Sequence, residues 1–386
     1  MRCGQRVPAS VRSATSSSRR ISSARTAAII GGARSGKSKR AERSQSQRPT
    51  FMKIAVDAMG GDYGPRVIID GALAAARHLD LGLVIVGQTS AVRAELARHA
   101  DLDGLDVTVL DAPEVIDMAE SPSAALRRKP GASVRVAAGA VARGEAAALV
   151  SMGHTGATIM AAFGAFGMLP GVDRPALATT IPTRTGSAVL LDAGAAVDCR
   201  PHHLVQFAVM GAAYARVSLG LERPRVGLLS IGEEASKGSG LVREAHQLLK
   251  AVPIQFIGNI EARDVYAGDA DVIVCDGFTG NIVLKTSEGL VDTIETLLGE
   301  ELSRTFSGMV GSLLSRRAFR RFRKRVDYSE YGGAPLLGLA RLCIVGHGRS
   351  SSKAVRNAVA MASRFATHHL IDRLERDIAA ASVLHR

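Results

Sequence analysis

Tryptophan is absent, and aromatic side chains make up only 4% of the 386 residues. With 46% of residues hydrophobic, the core must rest on aliphatic packing, and the chain is long enough for a large core or for two lobes around a cleft. The cysteines Cys3, Cys199, Cys275 and Cys343 are scattered, with no Cys-x-x-Cys or Cys/His spacing. A zinc ribbon is thereby excluded, free thiols are the simple reading, and neither a metal site nor a cofactor is expected. Apolar runs fall far short of the ~20 residues needed to cross a bilayer. A Gly-x-Gly-x-x-Gly turn with a downstream partner acid is also missing, which counts against a dinucleotide-dependent dehydrogenase.

Acidic residues are nearly missing from residues 1–51, which hold ten Arg, two Lys and one Glu. That segment carries +11 of the formal +13, leaving only +2 for the other 335 residues. Global basicity is therefore no evidence for nucleic-acid binding, and none is expected. The Arg/Ser-rich composition predicts disorder and resembles an organelle transit peptide. Gly31 to Ser38 also satisfies the phosphate-loop pattern, but the polar residues after it offer no helix with a buried face. Met52-Lys53-Ile54 reads as a natural start, and residues 1–51 as an extension that need not be translated.

Glycine, by contrast, is abundant at 40 residues. From residue 52 onward apolar runs alternate with helical patterns. Strands are expected at Lys53–Val56, Gly82–Val86, Asp106–Leu110, Ala147–Val150, Ala188–Leu191, Arg225–Ser230, Ile254–Ile257, Asp271–Cys275 and Leu342–Val345. Helices are expected at Val67–Arg77, Ser90–Arg98, Ser133–Ala142, Ala157–Phe166, His202–Val217, Leu241–Lys250, Gly280–Leu298 and Lys353–Leu374. This alternation predicts an α/β fold with one sheet covered on both faces. Ligands of such sheets sit beyond the carboxyl ends of the strands.

Five glycine-rich turns fall at those ends. They are Asp57-Ala58-Met59-Gly60-Gly61-Asp62, Ser151-Met152-Gly153-His154-Thr155-Gly156, Ser230 to Gly238, Asp276-Gly277-Phe278-Thr279-Gly280-Asn281, and Gly346-His347-Gly348-Arg349-Ser350-Ser351. One such turn alone is weak evidence. Five at one sheet edge would supply N–H groups, hydroxyls, histidines and lysines suited to phosphate and to a developing oxyanion. Lys285, one turn into its helix, reads equally well as solvated. Asp57 and Asp276 read equally well as caps. Cys199 beside His202 and His203 hints at a thiol nucleophile, but no third orienting group is evident. Asp192 and Asp198 could pair on a metal, without a carboxylate cluster to support it.

Residues 306–326 differ in kind. Met309, Val310, Leu313 and Leu314 form an apolar patch. Seven bases follow within ten residues, Arg316, Arg317, Arg320 and Arg321 among them, interleaved with Phe319 and Phe322. The pattern reads as a surface for anionic lipid or an acidic protein, or else as a solvated helix covering core through its two phenylalanines.

The chain from Met52 to about Leu374 resembles the phosphate acyltransferase family of bacterial phospholipid synthesis. The resemblance runs through IAVDAMGGD (54–62), TGA (155–157), RPALATTIPT (174–183), LLDAGAAVDCRPHHLVQFAVMG (190–211), VGLLSIGEEASKG (226–238), FIGNIEARD (256–264), VCDGFTGNIVLK (274–285), DYSEYGGAPLLGL (327–339) and HGRSSSKAVRNA (347–358). It implies an isocitrate/isopropylmalate dehydrogenase-like three-layer α/β/α sheet over residues 52–386, with a protruding helical segment at about 296–326. It implies a homodimer in the cytoplasm, peripherally attached to the membrane and needing no redox cofactor. The implied reaction moves a fatty acyl group from an acyl carrier protein thioester to inorganic phosphate. The acyl phosphate then feeds a glycerol-3-phosphate acyltransferase. Lys237, Asn281 and His347 are the expected catalytic residues. Asp57, Gly60, Gly61, Asp62, Thr155, Gly156, Gly277, Thr279 and Gly280 are expected to bind substrate. His154 and Ala196 stand where the family usually has Asn. The rival readings are a phosphotransacetylase-like enzyme using coenzyme A thioesters and a non-enzymatic membrane-surface adaptor.

Overall fold

The computed structural model describes residues 52–100, 102, 104–326 and 332–382. The readings of residues 1–51, and residues 327–331 of the DYSEYGG block, lie outside this range. In chain order the first half comprises β1 (Lys53–Asp57), α1 (Gly64–Leu79), β2 (Gly82–Gly87), α2 (Thr89–Leu96), β3 (Val107–Asp111), α3 (Pro122–Arg128), α4 (Ser133–Ala142), β4 (Ala148–Ser151), α5 (Thr155–Phe166), β5 (Ala176–Leu177), β6 (Thr179–Pro182) and β7 (Ser187–Leu191). The second half comprises α6 (Pro201–Ser218), β8 (Arg225–Ser230), α7 (Gly240–Leu249), β9 (Gln255–Glu261), β10 (Val272–Val274), α8 (Gly277–Ser303), α9 (Phe306–Leu314), α10 (Arg316–Val326), β11 (Ala334–Leu337), β12 (Leu342–Val345), α11 (Ser352–Thr367) and α12 (Leu370–Ser382).

The fold is α/β, but the strands form two sheets rather than one. One has the order β3-β2-β1-β4-β12-β11-β5 and the other β6-β7-β10-β8-β9. The chain passes between them at Ala178, whose N–H donates to Pro335 O at 3.0 Å. All nine expected strands are present. The short β5, β6 and β11 were not expected, because they pair antiparallel and draw their place from partners rather than from an apolar run. The expected helix Lys353–Leu374 is two helices. His369 adopts φ 52° between them, which lets α12 turn and bury Leu370, Leu374 and Ile378. Neither Gly nor Pro marks that break in the sequence.

Helix α6 is the centre of the second lobe. Phe207 and Tyr214 are fully buried along it. Gly211 lets it press on β10, since a Cβ there would lie 2.5 Å from Val272 Cγ1. Helices α8 to α10 leave the sheets. Along the 27 residues of α8 only Gly277 and Gly280 are buried, and α9 buries none. The chain returns where the Arg325 guanidinium donates to Thr183 O and Arg184 O at 2.8 and 2.7 Å. Met309, Val310, Leu313 and Leu314 are all exposed, Leu314 at 79%. Phe322 is exposed as well, so it does not cover core. Among the described residues no helix is long and apolar enough to cross a membrane.

The tight α6–β10 contact makes a testable demand. Gly211→Ala gains about 1 kcal/mol of helix propensity but overpacks the interface at a cost of about 1–3 kcal/mol. Urea denaturation should show a net loss of stability. In a Val272→Ala background the same change should become neutral or stabilising; a loss of equal size there would refute the contact.

Candidate active site

The five glycine turns fall into two groups, one on each sheet, because the strands that carry them do. The first group follows β1, β4 and β12, which are neighbours in the larger sheet. Its organiser is Asp57, buried to 2% at the end of β1. Asp57 Oδ2 accepts the Ser151 hydroxyl at 2.8 Å, and Oδ1 accepts the Met59 N–H at 3.2 Å. Burial pushes its pKa up, opposed by hydrogen bonds from Ser133, Ser151, Met59 and Gly60. Gly60 passes so close to the second turn that a Cβ would meet Gly153 N at 2.6 Å. The Asp62 N–H reaches Gly348 O at 2.8 Å, joining the first and fifth turns. Asp62 and His347 are exposed, and Thr155 and Gly156 are half-buried at the start of α5. The His347 ring meets only the Arg349 N–H, at 3.4 Å. His154 caps α5 without a side-chain hydrogen bond, its ring lying over Gly156.

The second group follows β10 and β8 and is joined by the turn after β7; the three strands are again neighbours in their sheet. Its organiser is Asp192, fully buried. Oδ1 accepts N–H groups from Leu177 at 2.8 Å and from Gly194 and Ala195, both at 3.0 Å; Oδ2 accepts Ala196 N–H at 2.6 Å. Burial raises its pKa against those four bonds. Asp198 is exposed, whereas both Asp192 oxygens are taken up by backbone N–H groups. Ala196, the family's Asn position, contributes its backbone: its carbonyl accepts the Gly277 N–H at 2.8 Å. The first turn of α8 is pressed onto this loop. A Cβ on Gly280 would overlap the Asp192 carbonyl oxygen, and one on Gly277 would sit 2.6 Å from Ala196 O.

Asp276 caps α8, accepting the Thr279 N–H at 2.9 Å and the Thr279 hydroxyl at 2.8 Å. The Thr279 hydroxyl is thus held by the cap. Asn281 follows on the exposed side, next to Gly194, where a Cβ would lie 3.5 Å from its own Cβ. Lys237 is exposed in the adjacent turn after β8, its stem packed on Gly232. Lys285 pairs with Glu288 at 2.7 Å and is an ordinary helix-surface pair. The structure therefore puts Lys237 and Asn281 just beyond the neighbouring strands β8 and β10, while His347 follows a strand of the other sheet.

Two findings lay beyond sequence reasoning. The role of Asp192 as hub of a turn carries no motif other than an acid at a strand end. The described cysteines Cys199, Cys275 and Cys343 are also unfit as nucleophiles. Burial pushes the Cys199 thiol up to about 11, Cys343 up to about 12, and Cys275 well above its usual range. Each is a protonated thiol at neutral pH.

Residues 52–373 match the family described as fatty acid synthesis protein. A phosphate acyltransferase of Nitratidesulfovibrio vulgaris is 51% identical over 334 residues, covering 86% of this chain and 96% of its own. One from Syntrophotalea carbinolica is 50% identical, covering 83% and 92%. The fold is shared with a phosphotransacetylase of Streptococcus pyogenes at a TM-score of 0.56 and 18% identity, covering 83% of this chain and 95% of that one. A branched-chain phosphotransacylase of Enterococcus faecalis aligns at a TM-score of 0.51 and 15% identity, covering 82% and 99%. On its sequence and its architecture together, the chain belongs to the phosphate acyltransferase family of fatty acid synthesis proteins, and it is an acyltransferase.

Proposed function

We propose that the enzyme moves a fatty acyl group from an acyl carrier protein thioester to inorganic phosphate, releasing acyl phosphate and free carrier. The observation that carries this reading is the pair of neighbouring turns after β8 and β10. They present the exposed Lys237 and Asn281 beside glycine backbone, with no thiolate at hand. A phosphate oxygen attacks the thioester carbonyl directly. The carbon–oxygen bond forms, the tetrahedral oxyanion collapses, and the carbon–sulfur bond breaks to release the carrier thiol. Lys237 offsets the charge of the dianion, and Asn281 donates to the reacting group. His347, from the other group of turns, gives the leaving thiolate its proton. The remaining first-group residues Gly60, Gly61, Asp62, Thr155 and Gly156 border the substrate, with Asp57 holding their backbone in place.

The exposed apolar residues of α9 and the basic α10 support peripheral attachment to an anionic membrane on the cytoplasmic side. There the acyl phosphate would reach a glycerol-3-phosphate acyltransferase. The uncovered Leu290, Ile294 and Leu297 of α8 support a homodimer.

Lys237→Ala should lower phosphate-dependent acyl transfer by about 10²–10³-fold with an unchanged melting temperature; near-normal turnover would sink the assignment. Intact-mass spectrometry during turnover should show no acyl adduct on the protein, and a stoichiometric adduct would replace direct attack with a covalent route. Acyl carrier protein thioester should be used in preference to the matching coenzyme A thioester, measured as kcat/KM; the reverse preference would transfer the donor role to coenzyme A. Leu313→Glu with Leu314→Glu should release the protein from anionic liposomes in a sedimentation assay, whereas a change confined to carrier affinity would show that the membrane reading is wrong.

A further inference from the structure

A cavity of about 610 Å³ opens at the start of α6, with Asp173, Arg174, Asp198, Arg200, His202 and His203 in its wall. Asp173, His202 and His203 bring three possible metal-ligand atoms within 4.8 Å of one another. Hydrogen bonding decides against a cation. His203 Nδ1 accepts the Arg200 N–H at 3.0 Å. A neutral imidazole that accepts at Nδ1 carries its proton at Nε2, so neither nitrogen has a lone pair left for a metal. Ligation by His203 would have to break the cap of α6. Asp173 is also engaged, lying 3.2 Å from His202 Nε2 and accepting from Gln206 Nε2 at 3.0 Å.

The remaining inventory suits an anion. His203 is only 5% exposed, and its Nε2–H meets no acceptor among the described residues. Burial, with the nearby His202, holds its pKa below the usual range, so the ring stays neutral and keeps this donor. The exposed guanidinium groups of Arg174 and Arg200 have no carboxylate within ion-pair distance among the described residues. The wall holds two carboxylates, Asp198 and the Asp173 already engaged by His202 and Gln206; facing them are these two cations, the His203 donor and the positive end of α6. The cavity adjoins the second group of turns. Cys199 in its wall donates to Ala196 O at 3.3 Å, the same carbonyl that accepts the Gly277 N–H at the start of α8.

We propose that this cavity is a phosphate-binding subsite, held by Arg174, Arg200 and the Nε2–H of His203. The inference rests on the reaction proposed above, which brings two phosphates to one site: the attacking inorganic phosphate and the phosphodiester of the carrier's prosthetic arm. Both present anionic phosphoryl oxygens to the cavity, the first as a dianion and the second as a diester monoanion.

The test uses the full chain with Arg174→Gln and Arg200→Gln, both exposed positions where folding is not at stake. Isothermal titration with inorganic phosphate and with 4′-phosphopantetheine should show at least one of them losing tenfold or more in affinity in each variant, at unchanged melting temperature. In steady state, a tenfold or greater rise in KM for phosphate, with the donor KM within twofold, identifies inorganic phosphate as the occupant. The opposite split identifies the prosthetic arm. Wild-type affinity for both anions in both variants would overturn the proposal. So would stoichiometric zinc binding that His202→Ala abolishes. Titration needs no turnover, so a wild type that binds phosphate in this cavity but makes no acyl phosphate would defeat the proposed reaction and leave the subsite standing.

Discussion

The second lobe depends on one buried carboxylate. Asp192 gathers four backbone N–H groups, one from β5 of the larger sheet and three from its own turn. Through Leu177 it ties the two sheets together. Through Ala196 it sets the carbonyl that receives the start of α8. A carboxylate deprived of water is costly unless its oxygens are bonded, so the turn cannot loosen without exposing an unsatisfied charge. Asn281 and the wall of the α6 cavity take their places from this hub.

Asp57 repeats the device in the first lobe. A strand ends in a buried acid, the acid binds the following turn and a neighbouring one, and glycine lets backbone meet backbone. Both acids serve the scaffold, whereas Lys237, Asn281 and His347 stay exposed. Buried groups set positions, and exposed ones remain available for chemistry that changes from step to step. An enzyme that relies on preorganised donors rather than a covalent nucleophile needs this separation.

Charge is partitioned in a similar way. Most of the formal excess lies in residues 1–51, and the rest of the chain is nearly neutral. Within that near-neutral remainder, positive charge is concentrated locally on α10. Local concentration matters more than the total, because screening confines each field to about a Debye length of ~8–10 Å.

Much of this was legible in the sequence. Continuous apolar runs such as Lys53–Val56 and Arg225–Ser230 announce strands buried on both faces, since only such strands lack a polar alternation. Glycine turns were legible at their ends, and the motif blocks announced the family. Tertiary structure alone decided the rest. Strand order split five turns into two groups, because sheet neighbours are chosen by packing at long range. The break at His369 and the short β5, β6 and β11 depend on partners distant in the chain. Asp192 became a hub through hydrogen bonds, the one to Leu177 above all, that no local pattern encodes. Local composition determines which segments are strand, helix or turn; which turns meet, and which side chains are consumed in joining them, is settled only when the whole core closes.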